Sequence, residues 1–224
     1  MNRKMIMLSR RQVVSALALA GVVPWARAAD GLELLGRFLQ QVRSGRAQFT
    51  QVVTSPARGG QAPRSKSSSG QLEFQRPGRF RFVYRKPFEQ VLLADGQTLW
   101  LHDVDLQQVT ARRQSEVLGA TPAALLTTAA DLRSLQADFN FEAQGTREGL
   151  QWVRATPRGT EGQVRWLQAG LRPIGAAAEL VMLEIEDSLG QRTVLRLSAI
   201  ETNPSLPSDT FVFRPPAGVD VIRS

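Results

Sequence analysis

From Arg46 almost to its C terminus the chain alternates apolar and polar residues with a period of two, which excludes most helical folds and calls for a large antiparallel sheet. Strands are expected at residues 46–53, 71–75, 79–84, 90–94, 98–102, 107–111, 139–144, 150–155, 163–168, 179–186, 192–200 and 211–214. Pro77-Gly78, Asp95-Gly96 and Leu189-Gly190 supply residues that accept the backbone angles of tight reversals. The segments follow one another closely, so the pattern describes a meander of about eleven strands. Two stretches depart from it. Residues 55–69 (SPARGGQAPRSKSSS) are polar, basic and rich in Gly, Pro and Ser, and are expected to form a mobile excursion from a hairpin. Residues 121–135 are expected to hold a short helix, with Thr121 as its cap and Pro122 at the first helical position, where a missing N–H costs nothing.

A sheet of about eight strands can close on an interior filled by its own side chains, whereas one of about eleven encloses more space than its inward residues occupy. Two segments can supply the filling. In residues 30–43, Leu32, Leu35, Phe38, Leu39 and Val42 recur at helical spacing, with Asp30 placed to cap the helix and Glu33 to return a bond to its backbone. The helix near residues 122–134 is the other. Facing them, Phe80, Phe82 and Tyr84 alternate with Arg79, Arg81 and Arg85, so one face of that strand is aromatic and the other strongly basic. Leu99 and Leu101 alternate with Thr98, Trp100 and His102, and Trp152 and Trp166 lie on later strands. Periodicity alone leaves two outcomes open: a dry core, or a cavity whose contents exchange with the helices.

Composition narrows the chemistry. The chain carries 28 Lys and Arg against 20 Asp and Glu, a formal net charge of +8 that would suit a nucleic-acid partner. Five of those bases (Arg3, Lys4, Arg10, Arg11, Arg27) and no acid fall in residues 1–28; without them 23 bases face 20 acids, a net of +3. The nucleic-acid reading then loses its support. Residues 1–28 read as a cleavable signal peptide, with a basic start, an apolar run from Val13 to Val23, and Ala26-Arg27-Ala28 as cleavage site. Ser9-Arg10-Arg11 also resembles a twin-arginine signal, so the general secretory and twin-arginine routes both stay open. The mature chain is then a single domain from residue 29 to the end, exported to the periplasm.

There is no Cys and one His, which removes disulfides, thiolate metal sites, cysteine nucleophiles and an acylated N-terminal Cys. His102 has no Ser in a Gly-x-Ser-x-Gly setting. Glu184, Glu186 and Asp187 sit on a strand and its turn, where a solvated edge explains them. No enzyme, cofactor or metal site is expected.

Five pieces, in order, resemble the outer-membrane lipoprotein carrier proteins of the LolA family. They are Ala47-Gln48-Phe49-Thr50-Gln51; Gly70-Gln71-Leu72-x-Phe74-x-Arg76-Pro77-x-x-Phe80; Leu93-x-Asp95-Gly96-x-Thr98-Leu99-Trp100; Thr121-Pro122; and Phe211-x-Phe213-x-Pro215-Pro216-x-Gly218-Val219-Asp220-Val221. The resemblance implies an incomplete, unclosed antiparallel β-barrel with a helical lid over a hydrophobic cavity. It implies a monomer that takes acylated lipoproteins from an inner-membrane ATP-driven extractor, shields their acyl chains, and delivers them to an outer-membrane receptor. A paralogous carrier of other lipids or glycolipids is the alternative. Arg76 is expected to bond the backbone of the lid, with Phe80 near the cavity mouth. Phe82, Tyr84, Leu35, Leu39, Leu99, Trp100, Leu125 and Leu126 are expected to complete the cavity and lid. Ala123 and Ala124 are smaller than the family leads one to expect there. Arg79, Arg81 and Arg85, with the basic loop, are expected to offer a surface to an acidic partner.

Overall fold

The computed structural model describes residues 30–57, 59–117, 131–159 and 164–223. The expected signal peptide, Thr121-Pro122, Ala123, Ala124, Leu125 and Leu126 lie outside them. Helix α1 (Gly31–Gln41) starts at Asp30, whose carboxylate accepts the Glu33 N–H at 2.8 Å. The expected reciprocal bond is absent, because the Glu33 side chain pairs instead with Arg37 one turn on. The buried stripe is Leu34, Leu35, Phe38 and Leu39, with Val42 as C-cap, so the helix is rotated to bury Leu34 and leave Leu32 half-buried.

The strands follow as β1 (Ser44–Ser55), β2 (Arg64–Gln75), β3 (Arg79–Lys86), β4 (Gln90–Asp95), β5 (Thr98–Asp103) and β6 (Gln108–Arg113). Short helices α2 (Gln114–Val117) and α3 (Leu132–Asp138) precede β7 (Phe139–Arg147), β8 (Leu150–Pro157), β9 (Val164–Ile174), β10 (Ala177–Asp187), β11 (Arg192–Thr202) and β12 (Asp220–Arg223). Among the described residues they form one twelve-stranded sheet in the order β12-β6-β5-β4-β3-β2-β1-β11-β10-β9-β8-β7. Two antiparallel meanders are thus joined by the long-range β1–β11 pair, and β12 lies parallel to β6. The sheet is curled but unclosed, with β7 and β12 as its borders.

Three expectations need correction. The second part of the 55–69 excursion is strand: β2 begins at Arg64 and pairs with β1 from Ser55↔Arg64 onward. Its polar stretch shows no alternation because neither face there is buried. Residues 211–214 join no ladder; Phe211 and Phe213 alternate because they lie on the outer face of the sheet, and the closing strand comes later as β12. Where the expected helix was to end near residue 134, α3 instead begins, capped by Asp131, whose carboxylate accepts the Ser134 N–H, and runs to Asp138; residues 121–130 lie outside the described residues.

The core lies on the concave face, where α1 packs on β7–β10 and a continuous apolar cluster links it to Phe49, Leu72, Phe80, Phe82 and Leu99 on the other half. Gly31 makes this approach possible, since a Cβ there would lie 2.5 Å from the Trp152 carbonyl oxygen. At the opposite face Asp95 organises the β4–β5 turn, accepting from Gln97 N at 2.8 Å, Thr98 N at 2.7 Å and Trp100 Nε1 at 2.9 Å. Partial burial pushes its pKa up, but these hydrogen bonds outweigh that and hold it below the usual carboxylate value. The stabilisation is therefore fully present above the unfolded pKa near ~4 and is lost as pH falls through the lowered folded value. Asp95→Ala is expected to cost about 1–3 kcal/mol in urea unfolding at neutral pH. The gap to wild type should narrow below pH ~4; a pH-independent gap would assign the cost to packing.

Candidate functional site

The inner face of β1 and β3 carries an aromatic cluster. Phe49 meets Phe82 edge-on at 5.3 Å and Tyr84 at 5.0 Å, and Phe80 lies 6.0 Å from Phe82. Tyr84 donates its hydroxyl to Gln51 Oε1 at 3.1 Å, and burial pushes its pKa up to about 12, so it stays a neutral donor. Leu99, on β5, belongs to the same apolar cluster, as do Leu35 and Leu39 of α1. Helix α1 covers the β7–β10 side of the concave face. Between its C-terminal end and Ala47, Leu72, Phe74 and Leu180 only about 20 Å³ of space remains, room for about one water. At this end of the helix an acyl chain enters only by displacing it.

Besides its apolar stripe, the helix is held by polar bonds at its C-terminal end. Arg76 Nη1 donates to the Leu39 carbonyl at 2.7 Å, in the last turn of α1, where carbonyls lack intrahelical partners and the helix dipole is negative. Helix α1 has no base of its own in that turn, so the sheet supplies it. The Arg76 guanidinium also lies 5.0 Å from the centre of the Phe38 ring. Burial, then the neighbouring charge of Arg43, brings its pKa down to about 10, which leaves it charged at neutral pH. Asn203 makes the second attachment: its Nδ2 donates to the Gln41 carbonyl at 2.9 Å, and its Oδ1 accepts from Arg43 N at 2.7 Å.

Phe80, Phe82, Tyr84, Leu35, Leu39 and Leu99 lie in one apolar cluster, and Arg76 stands beside it at the end of α1. Trp100 does not join them. The β4–β5 register turns it to the outer face, where its ring stacks on Phe213 at 5.0 Å and Asp95 takes its N–H. The three arginines of β3 also part company. Arg79 and Arg81 are half-buried. Arg81 stands 3.9 Å from Glu73, which accepts from Arg46 at 3.0 Å, and the C-terminal segment around Thr210 and Phe213 lies alongside it. Arg85 is exposed, 3.5 Å from Gln71 Oε1.

Periodicity does not point to Asn203 or Gln114. Asn203-Pro204 is a turn signal that was open to reading. Nothing marks Gln114, which donates to the Gly78 carbonyl at 2.7 Å and accepts from Gly96 N at 3.0 Å, clamping two turns. Glu184 does not lie at a solvated edge: it is buried on β10, inside the sheet, and it and its neighbours are paired. Glu184 accepts from Arg147 and Arg192, each at 2.6 Å; Glu186 pairs with Arg165 at 3.0 Å; and Asp187 caps its own turn. His102 lies against Phe213 on the outer face. Among the described residues no group of three or more His, Cys, Asp and Glu could hold a metal, and no helix is long and apolar enough to cross a membrane.

Comparison with known families supplies what geometry alone does not. The family model for the outer membrane lipoprotein carrier protein LolA matches residues 40–214. The chain belongs to the LolA family. The outer-membrane lipoprotein carrier protein of Albidiferax ferrireducens is 60% identical over 195 residues, covering 87% of this chain and 92% of that protein. The LolA-family relative of the same description from Methylibium petroleiphilum is 48% identical over 209 residues, covering 93% of this chain and 96% of its own.

Proposed function

We propose that this chain is a periplasmic chaperone that binds the acyl chains of lipoproteins released from the inner membrane and delivers them to the outer membrane. The observation that carries the reading is an apolar concave face occupied by the protein's own helix, which is tied down at its C-terminal end by Arg76 and Asn203. Each methylene taken out of water contributes about 0.8 kcal/mol, so several acyl chains together contribute tens of kcal/mol. A carrier that kept this gain could not release its cargo. Helix α1 competes for the same surface, and net affinity becomes the difference between two apolar burials. Membership of the LolA family and the names of its relatives support lipoprotein as the cargo.

In this reading residues 1–28 are removed on export, residues 29–224 act as one carrier domain, and the monomer works without catalysis or cofactor. An inner-membrane ATP-driven extractor loads it and an outer-membrane receptor unloads it. The test is to express the full chain with its leader, purify it from periplasm and identify co-purified molecules by mass spectrometry. Acylated polypeptides are expected. Free lipids or glycolipids in their place would make it a lipid carrier of the same fold, and no acylated molecule at all would end the proposal.

A further inference from the structure

The β2 strand outruns its neighbour. Pairing with β3 stops at Ser69↔Lys86, whereas pairing with β1 continues to Ser55↔Arg64. The cause is local. At Gly70 the two strands approach so closely that a Cβ would lie 1.9 Å from the Val83 carbonyl oxygen, and a register shift follows at Ser69. One residue beyond Lys86, Pro87 has no N–H with which to extend the ladder, and the chain turns away into β4. From Arg64 to Ser68 β2 therefore has β1 on one side and no strand on the other among the described residues. Alternate residues of such a stretch direct N–H and C=O groups outward, a template for another extended chain.

This open edge borders the site. It forms one wall of an exposed notch of about 580 Å³ whose other walls include Tyr84, Lys86, Phe88 and Gln90. Lys66 and Lys86 lie at this notch and Arg64 lies at the end of the edge, against the single carboxylate of the β3–β4 turn, Glu89. Residues 44–113 as a whole carry 11 Lys and Arg against 5 Asp and Glu. A polypeptide whose acylated end lay on the aromatic face beside Tyr84 would leave the cavity along this notch.

We propose that the β2 edge from Arg64 to Ser68 binds the polypeptide that follows the acylated residue of the cargo, as an added strand, and that Lys66 and Lys86 favour acidic side chains in it. The proposal rests on the carrier reading above and gives it a peptide-reading element separate from the apolar one. Its test uses the mature chain and four probes: palmitic acid, a palmitoylated peptide rich in Asp and Ser, its Lys-for-Asp counterpart, and the acidic peptide with alternate backbone amides N-methylated. The acidic lipopeptide should bind roughly tenfold more tightly than the basic one, and N-methylation should weaken it several-fold. Lys66→Glu with Lys86→Glu, both exposed, should reverse the acidic–basic order.

An unchanged order in the double variant, or indifference to N-methylation, overturns the proposal. So does a flat lipopeptide series; vesicles of anionic phospholipid, added as a fifth probe and no longer bound by the double variant, would then assign the edge to a membrane surface. Failure of palmitic acid itself to bind overturns the carrier reading beneath it.

Discussion

With Arg76 replaced by leucine, lipoproteins should accumulate in the periplasm bound to the carrier while their delivery to the outer membrane falls. The substitution removes the donor to the Leu39 carbonyl and the cation beside Phe38, and leaves an end carbonyl of α1 without that partner. A hydrogen bond to a charged group is worth about 1.5–3 kcal/mol, all of it on the side of the closed lid. Apolar cargo competes with that closed state, so its affinity should rise by about 10- to 100-fold. Titration with a fluorescent fatty acid measures the change directly. Arg76→Lys should recover only part of it, because an ammonium restores a donor but not the planar group beside the ring. Unchanged affinity together with wild-type sorting would remove Arg76 from the release mechanism.

The second large effect concerns folding. Gly70→Ala should destabilise the chain by about 3 kcal/mol, because the new methyl meets backbone, the Val83 carbonyl, which cannot rotate away. The β2–β3 ladder must then separate beneath Phe49 and Phe82. Gly59 is the control. Its φ is +56° but nothing lies within 4 Å of a Cβ there, so Gly59→Ala should cost only about 1 kcal/mol, the price of a left-handed alanine. Urea midpoints of the two variants measure the difference, and equal values would mean that the β2–β3 ladder relaxes around the added methyl at little cost.

How much of this was legible in the sequence depended on whether a residue's neighbours were fixed by period. Phe80, Phe82 and Tyr84 announce a buried face because alternation with arginine admits one orientation. Leu35, Phe38 and Leu39 do the same at helical spacing. Trp100 shows the limit. It alternates correctly with Leu99 and Leu101, but the outer face of β5 is itself covered by Phe213, more than a hundred residues away, so an aromatic residue suits either face. Residues 64–69 failed for the opposite reason: a strand exposed on both sides carries no apolar signature. Arg76 was placed by family resemblance; composition alone offers an arginine before a turn. Asn203 and Gln114 hold their partners through backbone groups, which any sequence possesses, and no pattern of side chains points to them.

The sheet's two borders, β7 and β12, are not hydrogen-bonded to one another. A fully closed barrel has a girth set by strand number and stagger, and enlarging it means breaking a ladder. Here, among the described residues, no ladder joins the two borders. The wall can flatten or tighten at the elastic cost of twist alone, keeping every rung between neighbours. Cargoes of different bulk can then be housed by one scaffold, with the helix settling the difference as it leaves or returns.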